Sequence, residues 1–303
     1  MKRNYWTGCL MIGTVFLFLH SSCGEKSDKK KETNEEIKST PLQQTNYDLL
    51  HPTGKWVLSD SLSEISGIGF LKNERLLAIE DIHPILYELK LGDSTAVIVN
   101  KIEFRETDKE KFDFEDLAVV RDTVYALWSH GAIFKIVKRK KGVTSERTKT
   151  WLKKENNTEG LAYDPVSDNL LVACKDETGL EDVKKSTRAI FEFDTKADSL
   201  KPDPFMLINK SDFENVAGEK IDFYPAAIAV HPVTHDIFII STKDTKCIAQ
   251  FTHDGKLKAF DYLDKEMLPQ PEGICFDTKG NLYISTEARH GKPPYIYEFG
   301  VKK

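Results

Sequence analysis

One pattern of small, apolar and polar residues occurs five times in this sequence, and it constrains the fold more strongly than any other feature. The last copy has three runs, at residues 272–276, 282–287 and 295–299. Apolar and polar residues alternate along these runs, as they do in strands that bury one face. The equivalent first runs start at Ser66, Glu115, Glu159, Ala226 and Glu272.

Repeats of about 45 residues, each with several short strands, are typical of the blades of a β-propeller. Fourth strands are predicted at residues 97–104, 148–152, 205–208 and 257–262. The fifth copy has no residues left for a fourth strand, whereas residues 55–58 lie unassigned before the first copy. We therefore predict an all-β chain: a single β-propeller with five blades of four antiparallel strands, its ring closed by the N-terminal strand.

The longest interval between copies separates Glu159 from Ala226. A sixth blade would have to lie there, and a six-bladed propeller is the alternative. The interval has too little alternating sequence for another blade, and loops are predicted at residues 177–187 and 210–222. No helix is predicted anywhere in the domain.

The first 22 residues read as an export signal, with Lys2 and Arg3 before an apolar stretch at residues 10–19. Two small residues then precede Cys23, as in a bacterial lipoprotein cleavage box, although His20 stands where an aliphatic residue is usual. We predict a lipoprotein signal peptide at residues 1–22, a disordered tether at 23–47 that starts at lipidated Cys23, and the propeller at 48–303. Plain secretion is the alternative.

This N-terminus predicts a protein of the bacterial cell envelope, held by its lipid in the outer membrane and facing the periplasm or the cell surface. The membrane is therefore one expected partner. Nucleic acid is excluded as a partner, because the formal net charge is −5 and no basic stripe is present. Cys174, Cys247 and Cys275 lie in apolar runs and are predicted to be buried thiols.

A set of short motifs spread over the repeats resembles the SdiA-regulated family of bacterial β-propeller proteins, in its lipoprotein form. The resemblance implies a propeller fold but carries no settled biochemical activity. Its broader relatives include calcium-dependent propeller lactonases and phytase-like esterases. The motifs are Ser66-Gly67-Ile68, Phe114-Glu115-Asp116-Leu117, Thr158-Glu159-Gly160-Leu161, Pro225-Ala226-Ala227-Ile228-Ala229 with His231-Pro232, and Gln270-Pro271-Glu272-Gly273-Ile274.

The innermost strands of a propeller line its axis, so residues at one repeat position are expected to form a ring there. Glu115, Glu159 and Glu272 occupy the aligned position, and Glu64 lies two residues before Ser66. Carboxylate ligands without His or Cys neighbours favour Ca²⁺ or Mg²⁺ over zinc. The sequence thus predicts a calcium site formed by these four glutamates. The alternative is that they bond amides or basic side chains and hold no metal.

A second ring is predicted at the ends of the second strands, close to the starts of the first strands. Its polar side chains are candidates for binding a polar ligand, and His130 and Lys175 are candidates for acid or base catalysis. Capping of turns is the alternative role for these residues. The ligand-binding candidates are Asp81, Ser129, His130, Lys175 and Glu287.

Two functions remain open from the sequence. The first is a membrane-anchored propeller that binds a divalent cation and a polar ligand or protein partner at the channel mouth. The second is a metal-dependent hydrolase of the lactonase, esterase or phytase-like type. The sequence carries no nucleophile elbow, phosphate loop or His-Glu-x-x-His motif, so its status as an enzyme is undecided.

Overall fold

The structure is a computed structural model that describes residues 44–72, 75–105, 111–140, 142–217 and 221–302. These residues form five four-stranded antiparallel sheets arranged as the blades of a β-propeller, which confirms the predicted fold. The strands in chain order are β1 (Gly54–Val57), β2 (Ile65–Leu71), β3 (Arg75–Glu80), β4 (Ile85–Leu91), β5 (Ala96–Glu103), β6 (Phe114–Val120), β7 (Thr123–Trp128), β8 (Ile133–Arg139), β9 (Gly142–Thr148), β10 (Thr158–Asp164), β11 (Asn169–Cys174), β12 (Arg188–Asp194), β13 (Ser199–Ile208), β14 (Pro225–Val230), β15 (Ile237–Ser241), β16 (Cys247–Phe251), β17 (Leu257–Tyr262), β18 (Pro271–Phe276), β19 (Leu282–Thr286) and β20 (Tyr295–Phe299).

Blades one to four are consecutive groups of four strands, from β2–β5 to β14–β17. The fifth blade has the order β1-β20-β19-β18, so the N-terminal strand is its outermost member. Trp56 of β1 stands opposite Ile296 of β20. The backbone N–H of Val57 also donates to the carbonyl of Ser94 in blade one, at 3.0 Å. The predicted closure of the ring by the N-terminal strand is therefore confirmed.

The core consists of five apolar clusters, each shared by two neighbouring blades. The cluster between blades three and four, for example, includes Ile190, Ile228 and Ile239. The three cysteines predicted to be buried thiols are buried and free. Because every cluster is shared, the blades are stabilised mainly by packing against one another.

Two elements differ from the sequence-based expectation. The fourth strand of blade two is β9, at residues 142–148 rather than 148–152. This outer strand alternates between exposed and half-buried residues and has little apolar sequence, so its position is not marked by an apolar run. A helix α1 (Lys210–Ala217) lies in the interval where loops were predicted. Its Phe213 stacks on Phe223 with ring centroids 4.7 Å apart, so tertiary packing stabilises a helix too short to show a sequence period.

The folded part begins earlier than residue 48. The backbone N–H and Oγ1 of Thr45 both donate to Asp261 Oδ2, at 2.8 and 2.6 Å. The Tyr47 hydroxyl donates to the carbonyl of Gly280 at 2.7 Å, and both Thr45 and Tyr47 are buried. The predicted signal peptide, Cys23 and the rest of the predicted tether lie outside the described residues. Among the described residues, no helix has the length and apolar character needed to cross a membrane.

Candidate functional site at the axial face

The aligned repeat position has a distinct backbone geometry in every blade. In each first strand, the pairing with the second strand shifts by one residue at this position, which is the signature of a β-bulge. A bulge leaves one residue unpaired and redirects its side chain. The five bulged residues are Ser66, Glu115, Glu159, Ala226 and Glu272.

Glycine follows the bulge in three blades, because the first strands of neighbouring blades approach closely there. A Cβ atom at Gly273 would lie 2.4 Å from Ser285 Oγ and 3.0 Å from the backbone nitrogen of Ile68 in blade one. A Cβ atom at Gly67 would lie 2.6 Å from Asp116 Oδ1 in blade two. This close approach brings the three glutamates of the ring within electrostatic range of one another.

Lys175 lies among these glutamates. Its Nζ bonds Glu159 Oε2 at 2.6 Å, while Asn157 Nδ2 donates to Glu159 Oε1 at 2.9 Å. Burial opposes the charge on Lys175, but Glu159, Glu272 and Glu115 together hold its pKa above the usual range. The ammonium is therefore stable at neutral pH, which does not favour Lys175 as a general base.

The ring carries more negative charge than one lysine can balance. Burial raises the pKa of Glu159 to about 7, although Lys175 acts in the opposite direction. Burial, together with the charges of Glu159, Asp113 and Glu272, raises the pKa of Glu115 well above its usual range. Burial also raises the pKa of Glu272, whose carboxylate accepts a bond from the Gln270 side chain. Each shift indicates a carboxylate with too little positive charge around it.

The second ring adds carboxylates on one side of the axial face. Burial and the charges of Glu272 and Glu64 raise the pKa of Glu287 to about 8. Burial and the charges of Glu80 and Glu64 raise the pKa of Asp81 to about 6. Asp81 Oδ1 is buried and has no hydrogen-bond partner among the described residues. We call this group the acidic sector; it comprises Glu64, Asp81, Asp113, Glu115, Glu272 and Glu287, from blades five, one and two.

The predicted proximity of the two rings is confirmed by the backbone. The N–H of Ser129 donates to the carbonyl of Asp113, and the N–H of Thr158 in blade three donates to the carbonyl of Ser129, both at 3.0 Å. Ser129 is buried, and its Oγ has no partner among the described residues. His130 differs, because it is exposed and stacks on Trp128 with centroids 5.5 Å apart.

The opposite side of this face is basic. Three cations surround the Tyr224 ring: Arg188 Cζ and Lys243 Nζ are each 4.5 Å from its centroid, and Lys210 Nζ is 5.1 Å away. Lys243 also lies 3.8 Å from Asp176, the neighbour of Lys175. Sequence analysis missed this cluster, because its members come from separate segments without a shared motif.

Asp116 was also missed as a site residue, although it stands in a recognised motif. Its Oδ1 accepts from the N–H of Leu117 and its Oδ2 from the N–H of Leu161 in blade three, both at 2.8 Å. Burial raises its pKa well above the usual range. Beyond it, the first strands line an apolar cavity of about 390 Å³ with residues such as Leu117, Leu161 and Ile228. The polar chemistry of the axis is thus concentrated on the axial face where the first strands start.

The oxygen donors of the ring are of the type that calcium prefers. However, no group of three or more His, Cys, Asp or Glu side chains in the described ranges is arranged to hold a metal ion. Lys175 Nζ already pairs with Glu159 Oε2 at 2.6 Å. The residues thus do not form a ready metal centre, and the calcium site stays a prediction.

Five four-stranded blades around a carboxylate-rich axis define a five-bladed β-propeller with a charged axial face. The chain belongs to the SdiA-regulated family, whose sequence model matches residues 53–290. This match confirms the resemblance seen in the repeat motifs.

Solved structures similar to this chain include a glutaminyl cyclase from Myxococcus xanthus, at 12% identity and a TM-score of 0.58 over 86% of this chain and 98% of that one. Another is the PQQ-bound aldose sugar dehydrogenase of Streptomyces coelicolor, at 10% identity and a TM-score of 0.50 over 86% and 99%. Identities this low show a shared fold alone. No curated protein sequence matches the chain significantly.

Proposed function

We propose that this protein is a binding module whose acidic sector takes the positively charged group of a polar ligand. The observation that carries this proposal is the cluster of carboxyls at one side of the axial face, in which Asp81 Oδ1 is buried without a partner among the described residues. Burial raises the pKa of all four carboxyls of the cluster, Asp81, Glu115, Glu272 and Glu287. None of these four forms an ion pair within the described residues. A bound cation would offset their mutual repulsion and their loss of hydration.

An organic ammonium fits this sector better than a bare metal ion does. Lys175 illustrates the fit, because its ammonium already bonds Glu159 and is stabilised by Glu115 and Glu272. The basic cluster around Tyr224 lies on the other side of the same face. A ligand with an amine at one end and an acidic group at the other would complement both sides.

The predicted Ca²⁺ ion is a competing occupant of the same sector. When bound, the calcium ion would supply the positive charge that the carboxylates lack. Lys175 would then take no part in binding. A calcium ion and an ammonium ligand differ in coordination, so they are distinguished by titration with each one separately.

The test is a calorimetric titration of the protein at about pH 8 with spermidine, with CaCl₂ and with NaCl at matched ionic strength. We expect spermidine to bind, and the double variant Asp81→Asn/Glu287→Gln to bind it about tenfold more weakly. Glu146→Gln is the matched control, since Glu146 is an exposed carboxylate on the outer strand β9. Binding of calcium alone would favour the metal, and binding of neither cation would contradict the proposal.

The alternative of a metal-dependent hydrolase has its own test. A screen of esters, lactones and phosphate esters, with and without Ca²⁺, would overturn the binding-module proposal if it found turnover that Glu159→Gln abolishes. A binding module shows no turnover, and the same substitution changes only affinity.

A further inference from the structure

A second cavity, of about 750 Å³, lies at the seam where the ring closes. It is lined by Trp56 of the closing strand β1, by Phe70 and Lys90 of blade one, and by Lys279 and Tyr283 of blade five. We call it the seam cleft. Phe70 and Thr278 also line the apolar axial cavity, but none of the lining residues belongs to the charged axial face.

Aromatic rings form one part of the seam cleft. Trp56 and Tyr283 stack with centroids 6.4 Å apart and an interplanar angle of 25°, and Phe70 lies 5.9 Å from Tyr283. Trp56 Nε1 donates to the carbonyl of Gly92 at 2.6 Å, and the Tyr283 hydroxyl donates to Glu298 Oε1 at 3.0 Å. These bonds hold the rings in place, while Trp56 and Phe70 keep part of their surface exposed. Such surfaces stack well on a planar ring or on the apolar face of a sugar.

The rest of the lining is basic. The lining of the cleft includes four basic side chains and only two carboxylates, although the protein has a net charge of −5. Arg75 is paired with Glu88 at 2.5 Å, and Asp277 accepts from the backbone N–H groups of Lys279 and Asn281, both at 2.8 Å. The ammonium groups of Lys90 and Lys279 have no ion pair or hydrogen bond among the described residues. They are available to an anion.

We propose that the seam cleft binds a small anion carried on a ring with an apolar face, either an aryl phosphate or carboxylate or a sugar acid. The ring would lie against Trp56 and Phe70, and the anionic group would pair with Lys90 and Lys279. This combination of stacking and charge-assisted bonds selects against a free inorganic anion and against a neutral sugar.

A ligand in this cleft would also stabilise the closure of the ring. It would contact Trp56 and Lys279 on blade five and Phe70 and Lys90 on blade one at the same time. Since it binds only when both blades are in place, it shifts the unfolding equilibrium toward the closed ring.

The experiment is a calorimetric titration of the full chain with four probes: phenyl phosphate, glucuronate, inorganic phosphate and glucose. We expect phenyl phosphate or glucuronate to bind at least about tenfold more tightly than inorganic phosphate and glucose. Tighter binding of phenyl phosphate assigns the aryl source, and tighter binding of glucuronate assigns the sugar source. The probe that binds is expected to raise the melting temperature.

The double variant Lys90→Ala/Lys279→Ala is expected to bind the probe about tenfold more weakly. Both lysines are exposed, so the variant is expected to fold normally. Lys149→Ala/Lys154→Ala is the matched control, because these lysines are exposed and lie outside the cleft. The proposal is overturned if neither ring-bearing anion binds, if inorganic phosphate binds equally well, or if both double variants have the same affinity.

Discussion

Lys175 sets the charge balance at the centre of the axial face. Its Nζ is the only positive group that forms an ion pair with a ring glutamate within the described residues, and its side chain is only 16% exposed. A lysine in this place lets buried Glu159 and half-buried Glu115 and Glu272 coexist in one folded structure. The cost of removing it is therefore larger than the value of a surface ion pair.

We predict that Lys175→Met lowers the free energy of unfolding by about 2–4 kcal/mol at neutral pH, because Glu159 loses its partner in a buried position. The loss is expected to shrink at about pH 5, where the glutamates can take up protons instead. Urea denaturation at the two pH values measures both effects. Lys149→Met, at an exposed lysine, is the control, and an equal loss at both pH values would contradict this reading.

Glu287 makes stability depend on pH in the opposite sense from most carboxylates. Its pKa of about 8 in the folded protein lies above the ordinary value of about 4.3 for an unfolded chain. Between these values the folded state holds a proton that the unfolded state has lost. The contribution of Glu287 to stability is therefore complete below about pH 4 and is lost as the pH rises through about 8.

We therefore expect the free energy of unfolding of Glu287→Gln to exceed that of the wild-type protein by on the order of 1 kcal/mol at about pH 8. At about pH 4.5 we expect little difference. Denaturant unfolding across this pH range measures the difference. Glu146→Gln should show no such pH-dependent gain. A constant offset at every pH would indicate that Glu287 is ionised throughout.

At the scale of single elements, the first strand of each blade is the important unit. Its bulge redirects one side chain, and in three blades the following residue is a glycine because the next blade approaches closely. Gly273 and Ala227 occupy this position in blades five and four. The space beside the two residues differs. A Cβ atom at Gly273 would lie 2.4 Å from Ser285 Oγ, whereas Ala227 already carries a Cβ atom.

We predict that Gly273→Ala lowers the free energy of unfolding by about 2–4 kcal/mol, because Ser285 and the backbone of blade one would have to move. The reverse substitution, Ala227→Gly, is expected to cost only about 1 kcal/mol. Chemical denaturation of both variants makes the comparison. Similar losses in the two would mean that the contact at Gly273 relaxes easily.

The closing strand β1 is the second element with a clear role. Without it the fifth blade keeps three strands, and its outer edge loses the pairing between β1 and β20. We expect a chain that begins at residue 59 to melt about 10 °C or more below the whole protein. A chain that begins at residue 44 retains β1 and the Tyr47 contact and is expected to melt normally. An unchanged melting temperature in the shorter chain would contradict closure by β1.

At the scale of the whole molecule, the predicted lipid on Cys23 determines where the axial face and the seam cleft would operate. We expect the protein produced in a bacterium to partition into the detergent phase of Triton X-114, and the variant Cys23→Ser to partition into the aqueous phase. Mass spectrometry of the N-terminal peptide identifies the modification directly. Partition of the wild-type protein into the aqueous phase would favour plain secretion instead.

The sequence by itself determined the number of blades, their strand order and the closure of the ring. It could do so because the alternation of apolar and polar residues in a strand is local and repeats in every blade. The alignment of Glu115, Glu159 and Glu272 came from the same repetition. Strand β9 and helix α1 could not be placed in this way, since one has little apolar sequence and the other depends on packing through Phe213.

Only the tertiary structure decided how the axial charges are partnered. The sequence placed Lys175 in a second ring, but its bond to Glu159 depends on distances between side chains from different strands. The cations around Tyr224 and the seam cleft likewise combine residues far apart in the chain. A local sequence pattern carries no information about such contacts, because they form only when the blades pack side by side and the ring closes.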